Sequence, residues 1–388
     1  MFIFEILIYV AFAWVMYRLA KESYRVSYPS DFTKFDTYLW LFIAFYTVIC
    51  GIRWAVGADS LGYALTFKYG DQRGLENSNG EWLYTWVSHA IADSGLHYTF
   101  GMALCAFVQI FFTVKAVKEY RYILIALPFV LFGSRYFLDL NNGVRQMMVA
   151  CMFLYASRFI VNRKPLHYAA FILIGSTIHQ SVLMLIPFYF LTYLPKLIDI
   201  AQKRWVLLGI FVLCFVAGQT PAFQNIANTA SEMAIFMGYN GYAERASDFL
   251  SNDYNEEALA FGPMMLSYFV VAVLAIWYGP QIKCKYDHHI PYLNLWYFLG
   301  YLYACSYFLV CNVSHIFLRP VQYFELFQML IFSLLLYDVA FSKYRKFTQA
   351  LMLFIILWTS ISWDLFKATG LPMEYSTYKV FFVRPVWC

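Results

Sequence analysis

Arg145 stands second in the expected first turn of an apolar helix, within Asn141-Asn142-Gly143-Val144-Arg145-Gln146. A cation is disfavoured there, because the macrodipole already places partial positive charge at a helix N-terminus. An arginine beside unpaired backbone N–H groups makes sense where an anion binds. Leu318-Arg319-Pro320 repeats the pattern, with Pro320 suited to the first turn of another helix. Arg53, in Gly51-Ile52-Arg53-Trp54-Ala55-Val56-Gly57-Ala58-Asp59, and Arg135 each close a helix running the opposite way. Cations and helix N-termini gathered at one depth would suit a pyrophosphate, whose oxygens match the planar guanidinium fork. Plainer roles stand beside these: Arg135 as a snorkelling side chain, Arg53 as a structural partner of Asp59.

Other polar side chains share that level. His179 lies in Ser176-Thr177-Ile178-His179-Gln180-Ser181, a polar break inside a long apolar run. Gln146 follows Arg145, and His315 accompanies Asn312 and Ser314 in a short loop. Tyr323 is four residues beyond Arg319, hence on the same face of a helix. Glu325, six residues beyond Arg319, would lie about 9 Å deeper on that helix. A carboxylate inside a membrane is a functional candidate by default, although it can simply neutralise an arginine. No Gly-rich phosphate loop, His-Glu-x-x-His, Gly-x-Ser-x-Gly or Asp-x-Asp occurs. The eight cysteines form no Cys-x-x-Cys pair and have no ligand spacing, so neither a metal site nor a cofactor is expected.

The elements that position these residues are apolar. Of 388 residues, 62% are hydrophobic and only 13% charged, about half the charged share of a soluble domain. A soluble enzyme, a disordered chain and a nucleic-acid binder are therefore excluded in favour of a polytopic membrane protein. Apolar runs near 2–20, 36–53, 97–115, 121–138, 143–161, 205–219, 263–280, 292–312, 320–338 and 347–363 are span candidates. The first has no basic residue before it and no small-residue cleavage site, so it does not read as a signal peptide. Together with the 166–194 run, the sequence predicts an all-α fold of about 12 membrane-spanning or half-spanning helices in one integral domain.

Charge orients them. One alternating set of loops holds Arg18, Lys21, Arg25 and Lys34, then Lys115, Lys118 and Arg121, then Arg158, Arg163 and Lys164. Lys196, Lys203 and Arg204, then Lys283 and Lys285, then Lys343, Arg345 and Lys346 continue the set. The positive-inside rule puts these loops in the cytoplasm and both chain ends outside. Residues 166–194 then lie between two cytoplasmic groups and must enter and return. Each half would reach about 20 Å, short of a roughly 30 Å core, which predicts a short hairpin with His179 near its tip. Two long acidic loops, 54–96 and 220–262, face outward. In the first, Trp82, Leu83, Trp86, Val87, Ala90 and Ile91 recur at helical spacing, as in an interfacial helix.

Gly51-Ile52-Arg53 followed by Val56-Gly57-x-Asp59 and Tyr63 resembles the first outer-loop signature of the EpsG-like proteins, which belong to the Wzy-type polysaccharide polymerases. Arg145-Gln146 opening a span, Arg163-Lys164 closing it, and His179-x-Ser181 before an apolar run to Pro187 resemble the family's central block. Arg319 with Tyr323 resembles its late outer motif. The resemblance covers roughly residues 40–340. It implies a GT-C-like enzyme of the bacterial inner membrane with its active site facing the periplasm. The implied reaction joins undecaprenyl-pyrophosphate-linked oligosaccharides at the non-reducing end of an incoming unit, and fixed cations would stabilise the departing pyrophosphate without a metal. A flippase and a chain-length regulator are the implied partners. Arg145 and Arg319, then Arg53 and Arg135, would hold the pyrophosphate. Asp59, Glu81 or His179 would take the acceptor's proton. Gln146, His315, Tyr323 and Glu325 would line the substrate. A lipid-linked oligosaccharide flippase, a membrane acyltransferase and an O-antigen ligase are the competing readings. Clustering of cations at the outer end alone favours an enzyme over a transporter.

Overall fold

The computed structural model describes residues 2–27, 32–54, 56, 59–71, 80–134, 136–220, 263–311 and 315–341. Every regular element among them is helical. Thr99–Phe132, Val144–Val161 and Leu293–Val310 are long and apolar enough to cross a membrane, and several shorter apolar helices accompany them.

α1 (Phe2–Val26) and α2 (Thr37–Gly51) are joined at their polar ends. Asp36 caps α2, its Oδ1 accepting the Leu39 N–H at 2.8 Å. Arg121, 1% exposed, reaches into the same corner. It donates to the Ser23 and Lys34 carbonyls, each at 2.9 Å, and to the Asp36 carboxylate. A buried guanidinium is tolerated only when so paired, and this one ties three chain segments together at the basic face.

At the other face, the 54–96 region supplies α3 (Ser60–Tyr69) and α4 (Trp82–Asp93). α5 (Thr99–Val117) and α6 (Arg121–Phe132) follow. The apolar stretch Thr99–Phe132 is not one span, because it reverses at the 3-10 turn Lys118–Tyr120. A Cβ on Gly51 would stand 2.7 Å from Ala103 Cβ, which sets the start of α5 beside the end of α2. Phe111 near its far end stacks on Phe35 at 5.6 Å, close to the start of α2. α6 then returns along α1, with Arg121 at Ser23 and Phe129 5.3 Å from Tyr17. α7 (Tyr136–Asn142) turns the chain into α8 (Val144–Val161), which is buried on almost every side. A helix that is apolar all round belongs in the middle of a bundle, and α8 packs against α5 and α7.

α9 (Pro165–Ser176) and a 3-10 helix, Gln180–Tyr193, lie antiparallel against α8. Gly175 meets Val182, and the Tyr168 hydroxyl donates to the Leu185 carbonyl at 2.7 Å. α9 is about 18 Å long, but the returning limb, at about 2.0 Å per residue, is about 28 Å. The limbs are therefore unequal, where equal short α-helical limbs were expected. Pro187 sits inside the second limb; it lacks an N–H and its ring clashes with the preceding turn of an α-helix. α10 (Pro195–Ile198), α11 (Arg204–Gly218), α12 (Pro263–Trp277), α13 (Gly279–Tyr286) and α14 (Leu293–Val310) complete the far side, with α15 (His315–Gln322) and α16 (Glu325–Phe341). α16 packs against α6 and α14. Gly218 lets α11 close on α14, since a Cβ there would collide with the Phe308 carbonyl oxygen.

Two sequence expectations shift here. Arg319 does not open an inward helix. It lies in the last turn of the short α15, and Pro320 lies inside that helix rather than in a first turn. The chain then breaks at Tyr323-Phe324 and restarts at Glu325, so Glu325 is not on Arg319's helix. In α4, Trp82 and Trp86 are exposed as expected of an interfacial helix, but Ile91 turns inward with Tyr84, Thr85 and Ser88.

Candidate functional site

Glu81 precedes α4 and is 6% exposed. Its side chain does not cap its own helix. The cap comes from the α9/3-10 tip: the Thr177 carbonyl accepts the Leu83 and Tyr84 N–H groups at 3.1 and 3.4 Å. In return, Glu81 Oε1 accepts the Gln180 N–H at 3.2 Å. Each helix start thus satisfies donors that the other leaves open, and a carboxylate is stabilised by the dipoles of both. This exchange locks the 176–181 break onto the segment that leads into α4.

The exchange also places His179. Its Nδ1 lies 2.7 Å from Glu81 Oε1, with the imidazole side chain 12% exposed. Glu81 Oε2 accepts from the Arg145 guanidinium, which enters from the first turn of α8. The carboxylate therefore bridges Arg145 and His179, one oxygen to each. Burial pushes the Glu81 carboxyl upward, but the His179 hydrogen bond and the Arg145 charge outweigh it and hold it below its ordinary 4.5.

Arg145 is gripped on further sides. Its guanidinium lies 5.1 Å from the centre of the Tyr84 ring, a cation–π distance. Tyr63, on α3, lies beside it, close enough for the guanidinium to favour the charged form of its phenol. Burial pushes the Tyr63 phenol up, and Arg145 partly offsets that. Asp59 is exposed at the start of α3, where its backbone N–H donates to Asn142 Oδ1 at 2.9 Å.

A second wall comes from α15 and the turn after it. Ser181 and the Tyr323 hydroxyl are 2.8 Å apart. Gln146 Nε2 donates to the Arg319 carbonyl, while the Arg319 side chain is exposed. Glu325 is fully buried in the first turn of α16. Arg53 is 2% exposed and donates to the Cys50 carbonyl. Arg135 and the side chain of His315 lie outside the described residues.

Of the sequence candidates, then, Glu81, Arg145 and His179 meet directly, and Gln146, Arg319 and Tyr323 stand next to them. Sequence reasoning assigned no role to Tyr84, or to Tyr63 beyond its place in a motif. Spacing offered a signal: Tyr63 is i+4 from Asp59 and Tyr84 is i+3 from Glu81, so each shares a helical face with a candidate acid.

A carboxylate shared by an imidazole and a guanidinium can take a proton through the imidazole while the guanidinium holds an anion. That combination suits transfer of a group away from a phosphate. No curated protein and no solved structure matches this chain. The family model for the EpsG family matches residues 36–379, a span containing every residue of the cluster. The chain belongs to the EpsG family, whose members are related to the Wzy-type polysaccharide polymerases.

Proposed function

We propose that the protein polymerises lipid-linked oligosaccharide repeat units at the face of the membrane opposite its basic loops, which is the periplasmic face of a bacterial inner membrane. The Glu81–Arg145–His179 cluster carries this reading, because it sets a phosphate-binding cation beside a proton-accepting pair at that end of the bundle. The donor is a growing glycan on undecaprenyl pyrophosphate, and the acceptor is the non-reducing end of another unit. The acceptor hydroxyl gives its proton to His179. Its oxygen bonds to the donor's anomeric carbon as the bond from that carbon to the pyrophosphate oxygen breaks. The electron pair leaves with the pyrophosphate, and fixed cations stabilise the developing charge. Arg145 is the principal phosphate ligand. Arg319 reaches it once its exposed side chain swings toward the Gln146 side of the cluster.

A GT-C-like arrangement belongs to the same proposal, as does the absence of a metal requirement. Ser181 and Tyr323 form the wall nearest the reacting hydroxyl, and Asp59 lies at the rim where sugars enter. Lipid-linked glycans from a deletion strain provide the test. Single repeat units should accumulate on the lipid and longer chains should vanish, with restoration by the wild-type gene. Undiminished chain length in the deletion strain sinks the reading.

A further inference from the structure

The reaction asks Arg145 to hold an anion, yet Arg145 already holds one. A guanidinium engaged by a carboxylate is a weakened receptor for phosphate, since the newcomer must displace or share a charge-assisted bond. The same pairing weakens Glu81 as support for a base, because a neighbouring cation disfavours its taking any share of a proton. Both defects disappear together if the pair opens. Resting on the polymerase reading, we infer that Glu81 is a placeholder for the donor pyrophosphate: the incoming anion takes Arg145, and the carboxylate, released from the guanidinium, is left as the partner of His179 alone.

The cluster is built so that half of it can let go. Oε2 faces Arg145, whereas Oε1 faces His179 at 2.7 Å and the Gln180 N–H at 3.2 Å. Losing the first contact leaves the second set in place. Arg145 likewise has neighbours other than Glu81, the Tyr84 ring at 5.1 Å and the Tyr63 phenol close by. Those two tyrosines are positioning residues that keep the guanidinium aimed while its carboxylate partner changes. A guanidinium has five N–H donors, so it can donate to two phosphate oxygens while keeping its place beside the tyrosines.

The handover imposes an order. Without donor, Glu81 is committed to Arg145 and the pair is idle. With donor bound, His179 Nε2 takes the acceptor hydroxyl's proton while Nδ1–H donates to Glu81. The freed oxygen bonds to the anomeric carbon, and the departing electron pair stays on the phosphate oxygen at Arg145. The carboxylate beside the base is thus freed of the competing guanidinium only when the leaving group is in place, which limits wasteful attack by water.

The test is binding of a fluorescent polyprenyl pyrophosphate carrying no sugar to the full-length protein in nanodiscs. Removing the competing charge should strengthen binding: Glu81→Gln should lower Kd about tenfold, equivalent to about 1.4 kcal/mol, yet make no polymer from lipid-linked units. A salt bridge that only braces the fold would give the opposite sign, with weaker binding. Glu81→Asp covers failure of the glutamine variant to fold. It keeps the charge but stretches the Arg145 contact, so a smaller tightening is expected, and unchanged or weaker binding by whichever variant folds overturns the handover. Wild-type binding that is lost in Arg145→Lys keeps the polymerase reading standing in that event. If neither wild type nor the Glu81 variants bind the probe, the pyrophosphate reading itself fails, and the handover with it.

Discussion

Arg145 is the residue where a conservative exchange is most informative. Lysine keeps the charge but loses the planar fork that meets Glu81, Tyr63 and Tyr84 from different directions. Arg145→Lys should insert normally and lower polymer formation about a hundredfold or more, the scale of losing one fixed donor to a leaving group. Glycan ladders and immunoblots of the membrane fraction check both halves, and wild-type ladders would reduce Arg145 to charge balance. Glu81 makes a separate, thermodynamic prediction. Its folded-state pKa is depressed below 4.5, so its contribution to stability is full above that ordinary value and is lost as pH falls through the lower folded value. The difference in melting temperature between wild type and Glu81→Gln should therefore hold from neutrality down to about pH 5 and shrink only in stronger acid. A difference that shrinks between pH 8 and 6 contradicts the ion pair. In the sequence, Arg145 was legible as a cation opening an apolar run, His179 as a polar break within one, and Glu81 as one of several candidate bases in the acidic 54–96 segment. Their meeting was not, because Glu81 lies 64 positions from Arg145 and 98 from His179, and only packing of three distant segments brings them together.

Among the elements, the α9/3-10 pair is the one on which the site hangs, since its tip supplies both the cap of α4 and His179. Charge parity in the sequence is what raised the expectation of a hairpin there: basic groups flank the 166–194 run on both sides. Reporter fusions at Arg163 and Lys203 should both report cytoplasm, and opposite locations would shift every later span. What the sequence concealed was the helix type. An apolar run containing one proline reads equally as a kinked α-helix, and the 3-10 winding emerges only where neighbours such as Tyr168 satisfy the backbone. The break after α15 was concealed likewise, because Pro320 is as compatible with a helix start as with a helix about to end. α11 and α14 offer an element-scale test of packing. Gly218→Val adds a Cβ against the Phe308 carbonyl oxygen, so the helices must separate, and overpacking of this kind typically costs about 1–3 kcal/mol. Thermal stability of purified protein should fall accordingly, while Gly209→Val on the same helix, where a Cβ meets nothing within 4 Å, should not change it.

At the scale of the molecule, the two ends of the bundle do different electrostatic work. The basic end is already paired internally: Arg121 with Asp36, Lys283 with Asp199, Lys285 with Asp338. The opposite end carries the bridged cluster, where a cation and a proton acceptor share one carboxylate. The proposed donor brings an activated pyrophosphate linkage of its own, so neither ATP nor a nucleotide sugar enters the reaction. Charge on the departing pyrophosphate then falls to guanidinium groups, and the chain has no Asp-x-Asp pair to recruit a divalent ion. Purified protein in nanodiscs, given lipid-linked repeat units in EDTA, should therefore elongate chains. Added salt should slow elongation only modestly, because partly buried charges such as Arg145, with 24% of its side chain exposed, are screened less than surface ones. An absolute need for magnesium or manganese, restored on adding back either ion, would refute the side-chain mechanism. Glu81, Asp59 and Glu325 would then have to be reconsidered as ligands, and Arg145 as the group that holds one of them in place.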